Sequence, residues 1–187
     1  MLPSAGSGGR KMSECALFLL VSWSILFSPA LLAAAATSSF TVNATITNGC
    51  AFGTSLSSPV TSLGSINFGS FASVPANIDV VSTSGAGSVV VTCTPGATVA
   101  IAMDYGTHGG SATQRYMANS GATATLAYQL YQDSAHTRVW GTAALAMTVS
   151  SFPATTQTYP VYARLFSFTT SPTAGTYTDT VTVTLTY

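Results

Sequence analysis

Residues 180–187 read TVTVTLTY, so Val181, Val183, Leu185 and Tyr187 alternate with Thr180, Thr182, Thr184 and Thr186. Successive side chains of an extended strand point to opposite faces, and this spacing puts four apolar groups on one face and four threonines on the other. The segment closes the sequence, and the expectation is a terminal strand with no partner strand following it. The same period recurs towards the N-terminus. Leu126, Tyr128 and Leu130 share a face, as do Val99, Ile101 and Met103, and Val89, Val91 and Cys93. Phe40, Val42, Ala44 and Ile46 alternate with Thr41, Asn43, Thr45 and Thr47. Turn chemistry separates these runs: Thr47-Asn48-Gly49, Ser84-Gly85-Ala86-Gly87, Thr94-Pro95-Gly96, residues 106–110, Asn119-Ser120-Gly121 and residues 171–175. Such clusters of Gly, Pro, Asn and Ser end strands and reverse the chain. Past residue 36 no helical period holds for three turns. The pattern predicts an all-β protein of about seven or more short strands. An immunoglobulin-like β-sandwich with Greek-key connections is the expected architecture, and an up-and-down barrel is the competing closure. Residues 51–61 carry no period and read as a long loop.

The first 36 residues have the layout of an export signal. Arg10 and Lys11 form a positive start, residues 16–32 are largely apolar, and Ala34-Ala35-Ala36 offers small residues for cleavage. Residues 15–36 are also long enough to span a bilayer, but Pro29, the alanine run and the lack of following basic residues favour removal over anchoring. The expected organisation is a signal peptide at 1–36, a donor or first-strand segment at 37–49, and one domain at 50–187, with no membrane association after cleavage.

From Thr37 onward the charged residues are Asp79, Asp104, Asp133, Asp179, Arg115, Arg138 and Arg164, with no Lys and no Glu. Three scattered arginines make no basic stripe, which excludes nucleic acid as a partner. A surface so poor in charge suits a protein that ends packed against copies of itself. Cys15 leaves with the signal, so Cys50 and Cys93 remain as a pair in an oxidising compartment, and a disulfide is expected over two buried thiols. Such a bridge contributes about 4 kcal/mol on the chain-entropy account.

Signals for catalysis are absent. No G-x-S-x-G elbow occurs, and the four aspartates read as turn and rim residues. His108 and His136 read as loop histidines, and Asp104 with His108 falls short of the three protein ligands of a catalytic zinc. The glycine run at 106–110 lacks the lysine and helix of a phosphate cradle and reads as a hairpin connection. No cofactor is implied and no enzyme is expected. Trp140, with Tyr128, Tyr131 and Tyr162, reads as core packing, and a carbohydrate platform is the competing role.

Specific stretches resemble a known family. They are FTVNATITNGC (40–50), LGSINFGSF (63–71), VVVTC (89–93), Arg115-Tyr116-Met117, LAYQLYQDSAHTRVWG (126–141), Val161-Tyr162-Ala163-Arg164 and AGTYTDTVTVTLTY (174–187). Together they resemble the spore coat protein U domain, a family that includes subunits of Csu-type, or archaic, chaperone–usher pili. Ala163 departs from the glycine that the family often has. The resemblance implies an immunoglobulin-like pilin lacking its final strand, whose groove is covered first by a periplasmic chaperone and then by the N-terminal segment of another subunit. Its implied partners are copies of this chain or related pilins, the chaperone and an outer-membrane usher. Its implied location is the periplasm in transit and then a surface fibre for attachment and biofilm formation. On that basis Phe40, Val42, Ala44 and Ile46 form the donor strand, unless part of 40–46 is the domain's own first strand. Val181, Val183, Leu185 and Tyr187 form the strand bordering the groove. A secreted coat or matrix protein using the same domain is the second reading, and a carbohydrate-binding module the third.

Overall fold

The computed structural model describes residues 36–187; the expected export signal at 1–36 lies, but for Ala36, outside the described residues. Eleven strands and one 3-10 turn are present among them. In chain order they are β1 (Cys50–Phe52), β2 (Ile78–Val81), β3 (Val89–Cys93), β4 (Val99–Met103), β5 (Arg115–Asn119), β6 (Thr125–Tyr131), β7 (Met147–Val149), β8 (Gln157–Tyr159), β9 (Tyr162–Leu165), β10 (Tyr177–Thr178) and β11 (Val183–Thr186). All pairings are antiparallel and build three sheets, ordered β1-β3-β8, β10-β5-β6-β9-β2 and β11-β4-β7. Among the described residues no helix is long and apolar enough to cross a membrane.

Alternation explains which strands carry the core. Val99, Ile101 and Met103 of β4 are buried while Ala100 and Ala102 between them are half-buried. Strand β3 departs from the alternation, with Val89, Val90, Val91 and Cys93 all buried and Thr92 half-buried. Residues from all three sheets meet in one cluster that includes Val91, Ile101, Tyr128, Leu130, Trp140 and Leu165. The result is a sandwich-like all-β fold. Each sheet ends in two edge strands, which sets aside the closed barrel. Between β3 and β4 the chain changes sheet through Thr94–Thr98, and the turn is pinned by Gly96 N donating to Phe152 O and Phe152 N donating to Ala97 O.

Residues 40–46 are in no strand of this chain, so the alternative that they form the domain's own first strand gives way to Cys50–Phe52. A second expectation also changes. The loop expected at 51–61 starts only at Gly53, because Ala51 and Phe52 pair with Thr92 and Val91. It then runs to Asn77 without a strand.

The Cys50–Cys93 disulfide joins directly opposed residues of β1 and β3, whose Cα atoms are 4.1 Å apart. Next to it Gly49 N donates to Thr94 Oγ1 (3.0 Å) and Thr94 N donates to Gly49 O (2.8 Å). The root of the preceding segment is thus held covalently and by backbone bonds.

Candidate binding cleft

A cleft of ≈ 590 Å³ opens into the core. Two stretches of chain wall it, residues 60–66 with Phe68 and residues 177–183, and the core residues Met103, Met117, Tyr128, Leu130 and Val161, with Phe52, complete its lining.

The first wall packs without a sheet ladder. Leu63, Ile66 and Phe68 are half-buried against the core, and the Phe68 ring meets Tyr128 edge-on at 6.3 Å. Gly87 N donates to Leu63 O (2.8 Å), and a Cβ at Gly87, whose φ is +90°, would collide with Ile66. A glycine is required there both for its backbone angle and for this approach.

The second wall is the chain between β10 and β11, where it passes from one sheet to another. Thr178 pairs with Ala118, and Val183 pairs with Met103. Strand β11 hydrogen-bonds to β4 on one side only and is an edge of its sheet. Between these points two aspartates hold the wall. Asp104 Oδ1 accepts from Thr182 N (2.9 Å), and Asp104 N donates to Thr182 O (3.0 Å). Asp179, whose side chain is only 2% exposed, accepts from Tyr128 OH (2.6 Å), Thr107 N (2.9 Å), Thr107 Oγ1 (2.8 Å) and His108 Nδ1 (3.0 Å). Burial alone would raise the Asp179 pKa, but the hydrogen bonds from Tyr128, Thr107 and His108 hold the carboxyl below its usual value. Burial, and then the bond to Asp179, push the Tyr128 phenol far up, so it stays a donor. A Cβ at Gly106, with φ +81°, would strike the Asp179 carboxylate.

Behind this wall Arg115 is fully buried. Its guanidinium donates to Asp104 O (2.6 Å), to Trp140 O (2.7 Å) and to Gln129 Oε1, and lies 5.2 Å from the Tyr105 ring centroid. Burial lowers its pKa, while Tyr128, Tyr105, Asp104 and Asp179 act in the opposite direction. The five donors of an arginine fork can satisfy several strand-end carbonyls together, which suits a junction of sheets.

The predicted residues fall into four places. Phe40, Val42 and Ile46 are 88%, 80% and 89% exposed, and Ala44 is exposed as well. Val181 and Val183 line the cleft, and Leu185 packs against the core two pairs further along β11. Tyr187 lies beyond the end of β11 and is exposed. Cys50 and Cys93 are bonded.

Other residues take different roles from those the sequence suggests. Trp140 is fully buried and donates from Nε1 to Ile101 O (2.9 Å), which leaves no face for a sugar. The partner of His108 is Asp179, not Asp104. His136, expected in an open loop, has a side chain only 8% exposed and sits edge-on to Tyr131 and Tyr162. Asp179 and Asp104, expected at turns and rims, are the fastenings of the cleft wall, and no local spacing marks them. Among the described residues no group of three His, Cys, Asp or Glu is placed to hold a metal ion.

The family described as Spore Coat Protein U domain matches residues 36–184. No curated protein matches the chain. Among solved structures the chain is similar to the CsuC–CsuE chaperone–tip adhesion subunit pre-assembly complex from archaic chaperone–usher Csu pili of Acinetobacter baumannii, at 20% identity and a TM-score of 0.49. That similarity covers 76% of this chain and 40% of the other.

Proposed function

We propose, from the premise that this chain belongs to the Spore Coat Protein U domain family, that it is an exported structural pilin that polymerises by donor-strand exchange. The observation carrying this reading is the cleft beside β11: it is lined by apolar core residues and by two stretches of chain, one of them continuing into a sheet edge that has no partner among the described residues. An edge strand over uncovered core invites an added strand, whose main chain extends the ladder while alternate side chains fill the cleft.

Residues 37–49 supply such a strand. Phe40, Val42 and Ile46 are exposed and apolar on one face, and each burial in a neighbour's cleft contributes about 1.5–3 kcal/mol. Ala44 adds less. Residues 1–36 are then the export signal and 50–187 the accepting domain. Because donor and acceptor surfaces differ, the contact is head-to-tail and generates an open fibre. Until a donor arrives, a periplasmic chaperone covers the cleft and an outer-membrane usher presents it. The fibre serves attachment and biofilm formation, a structural and not a catalytic role.

The test is deletion of Thr37 to Ile46. The shortened chain is expected to fold and oxidise in the presence of its chaperone yet form no fibres by electron microscopy. Fibres of normal length from the deleted chain would overturn the assignment.

A further inference from the structure

We propose that Asp179 is the positioning residue of the cleft: its carboxylate fastens the wall at residues 178–183 in place before any strand arrives. This rests on reading the cleft as a strand acceptor. The wall needs such a fastening because residues 179–182 belong to no strand, β10 before them has only two residues, and β11 is paired on one side only. One carboxylate gathers donors from two other parts of the chain: Tyr128 on β6, and Thr107 and His108 in the loop after β4. Room for it is reserved by Gly106. The second fastening, Asp104 to Thr182, lies three residues further along and leaves residues 179–181 dependent on Asp179.

The position of this residue determines which step it governs. A captured strand would itself hold the wall through new backbone bonds, so Asp179 matters most while the cleft is empty. If the wall is in place only part of the time, the apparent affinity falls by that fraction, and the loss appears in the rate of capture. A carboxylate accepting several hydrogen bonds is strong enough for an effect of about tenfold.

The experiment uses the oxidised full chain and a fluorescent peptide of residues 37–49, with association and dissociation followed by stopped flow and amide exchange followed by mass spectrometry. Asp179→Asn is expected to slow peptide association about tenfold while dissociation stays within about twofold. Exchange is expected to speed up at residues 178–183 and to stay unchanged in β2 and β9. Tyr128→Phe, which removes one donor and keeps the ring, is expected to show the same split with smaller size, and it carries the test should Asp179→Asn not fold. Unchanged exchange at 178–183, or a loss confined to dissociation, would overturn the proposal. A wild-type chain that ignores the peptide sinks the strand-acceptor reading instead, and the exchange comparison still decides whether Asp179 fastens the wall.

Discussion

Two segments of this chain share a pattern and differ in structure. Residues 40–46 and 181–187 both alternate apolar side chains with Thr or Asn. The second forms β11, paired from Val183↔Met103 to Thr186↔Ala100, with Val183 and Leu185 half-buried against the core. The first forms no strand and exposes Phe40, Val42 and Ile46 almost fully. Period-two alternation therefore states what a segment can bury. Whether it does so depends on an edge being available, and β11 has β4.

The comparison can be broken most severely by placing the same charge in both segments. Val183→Asp puts an unpaired carboxylate at a half-buried position packed against the core and is expected to destabilise the folded chain by about 1–3 kcal/mol, a shift readable in urea unfolding. Val42→Asp is expected to leave that unfolding curve within about 0.5 kcal/mol and to remove fibre growth. Equal destabilisation by both would show that residues 40–46 already belong to the lone fold.

A second test removes the tie between the leading segment's root and the domain. Cys50→Ser with Cys93→Ser opens a crosslink between residues 43 apart and is expected to cost about 4 kcal/mol in unfolding. Peptide capture by whatever remains folded should be little changed, because neither cysteine lines the cleft.

Acid separates the segments further. The hydrogen bonds from Tyr128, Thr107 and His108 outweigh burial and depress the pKa of Asp179. Its contribution to stability is therefore complete above the unfolded carboxylate value and lost as pH falls through the lower folded value. Residues 37–49 contain no titratable side chain. Exchange of the 178–183 amides is expected to rise at the acid end of a titration in wild type, and Asp179→Asn should flatten that rise.

The smallest effect belongs to a control far from either segment. Arg164 Nε and Nη2 each reach Asp79 at 2.7 Å across β9 and β2, but Asp79 is exposed, and Arg164→Ala is expected to cost about 0.2–1 kcal/mol in unfolding without altering capture.

Much of the fold was legible because period-two burial is a local property. The runs at 89–93, 99–103 and 126–130 all became strands with the expected residues inward or half-buried. What alternation could not convey is partnership: β3 and β4 are five residues apart in sequence and join different sheets. The wall at Leu63–Phe68 was visible only by resemblance, since it packs without a ladder and so without a period. Asp104 and Asp179 looked like turn residues because their acceptors are filled from elements far away in sequence, Asp104 from Thr182 and Asp179 from Thr107 and Tyr128. Arg115 stands in a triplet that resembles the family's, yet nothing nearby announces a fully buried cation whose counter-dipoles come from Asp104, Gln129 and Trp140.

That burial of Arg115 reaches beyond the cleft. From Thr37 onward the chain offers a trypsin-like protease only three basic residues to recognise. Arg115 is sealed in β5, and Arg164 is laced into β9 with neighbours on both sides, whereas Arg138 stands exposed in the turn after β6. Digestion of the folded protein is expected to produce one nick, after Arg138, with the two fragments staying together until they are denatured. Resistance to proteolysis thus comes with the same economy of charge that leaves the surface so nearly neutral.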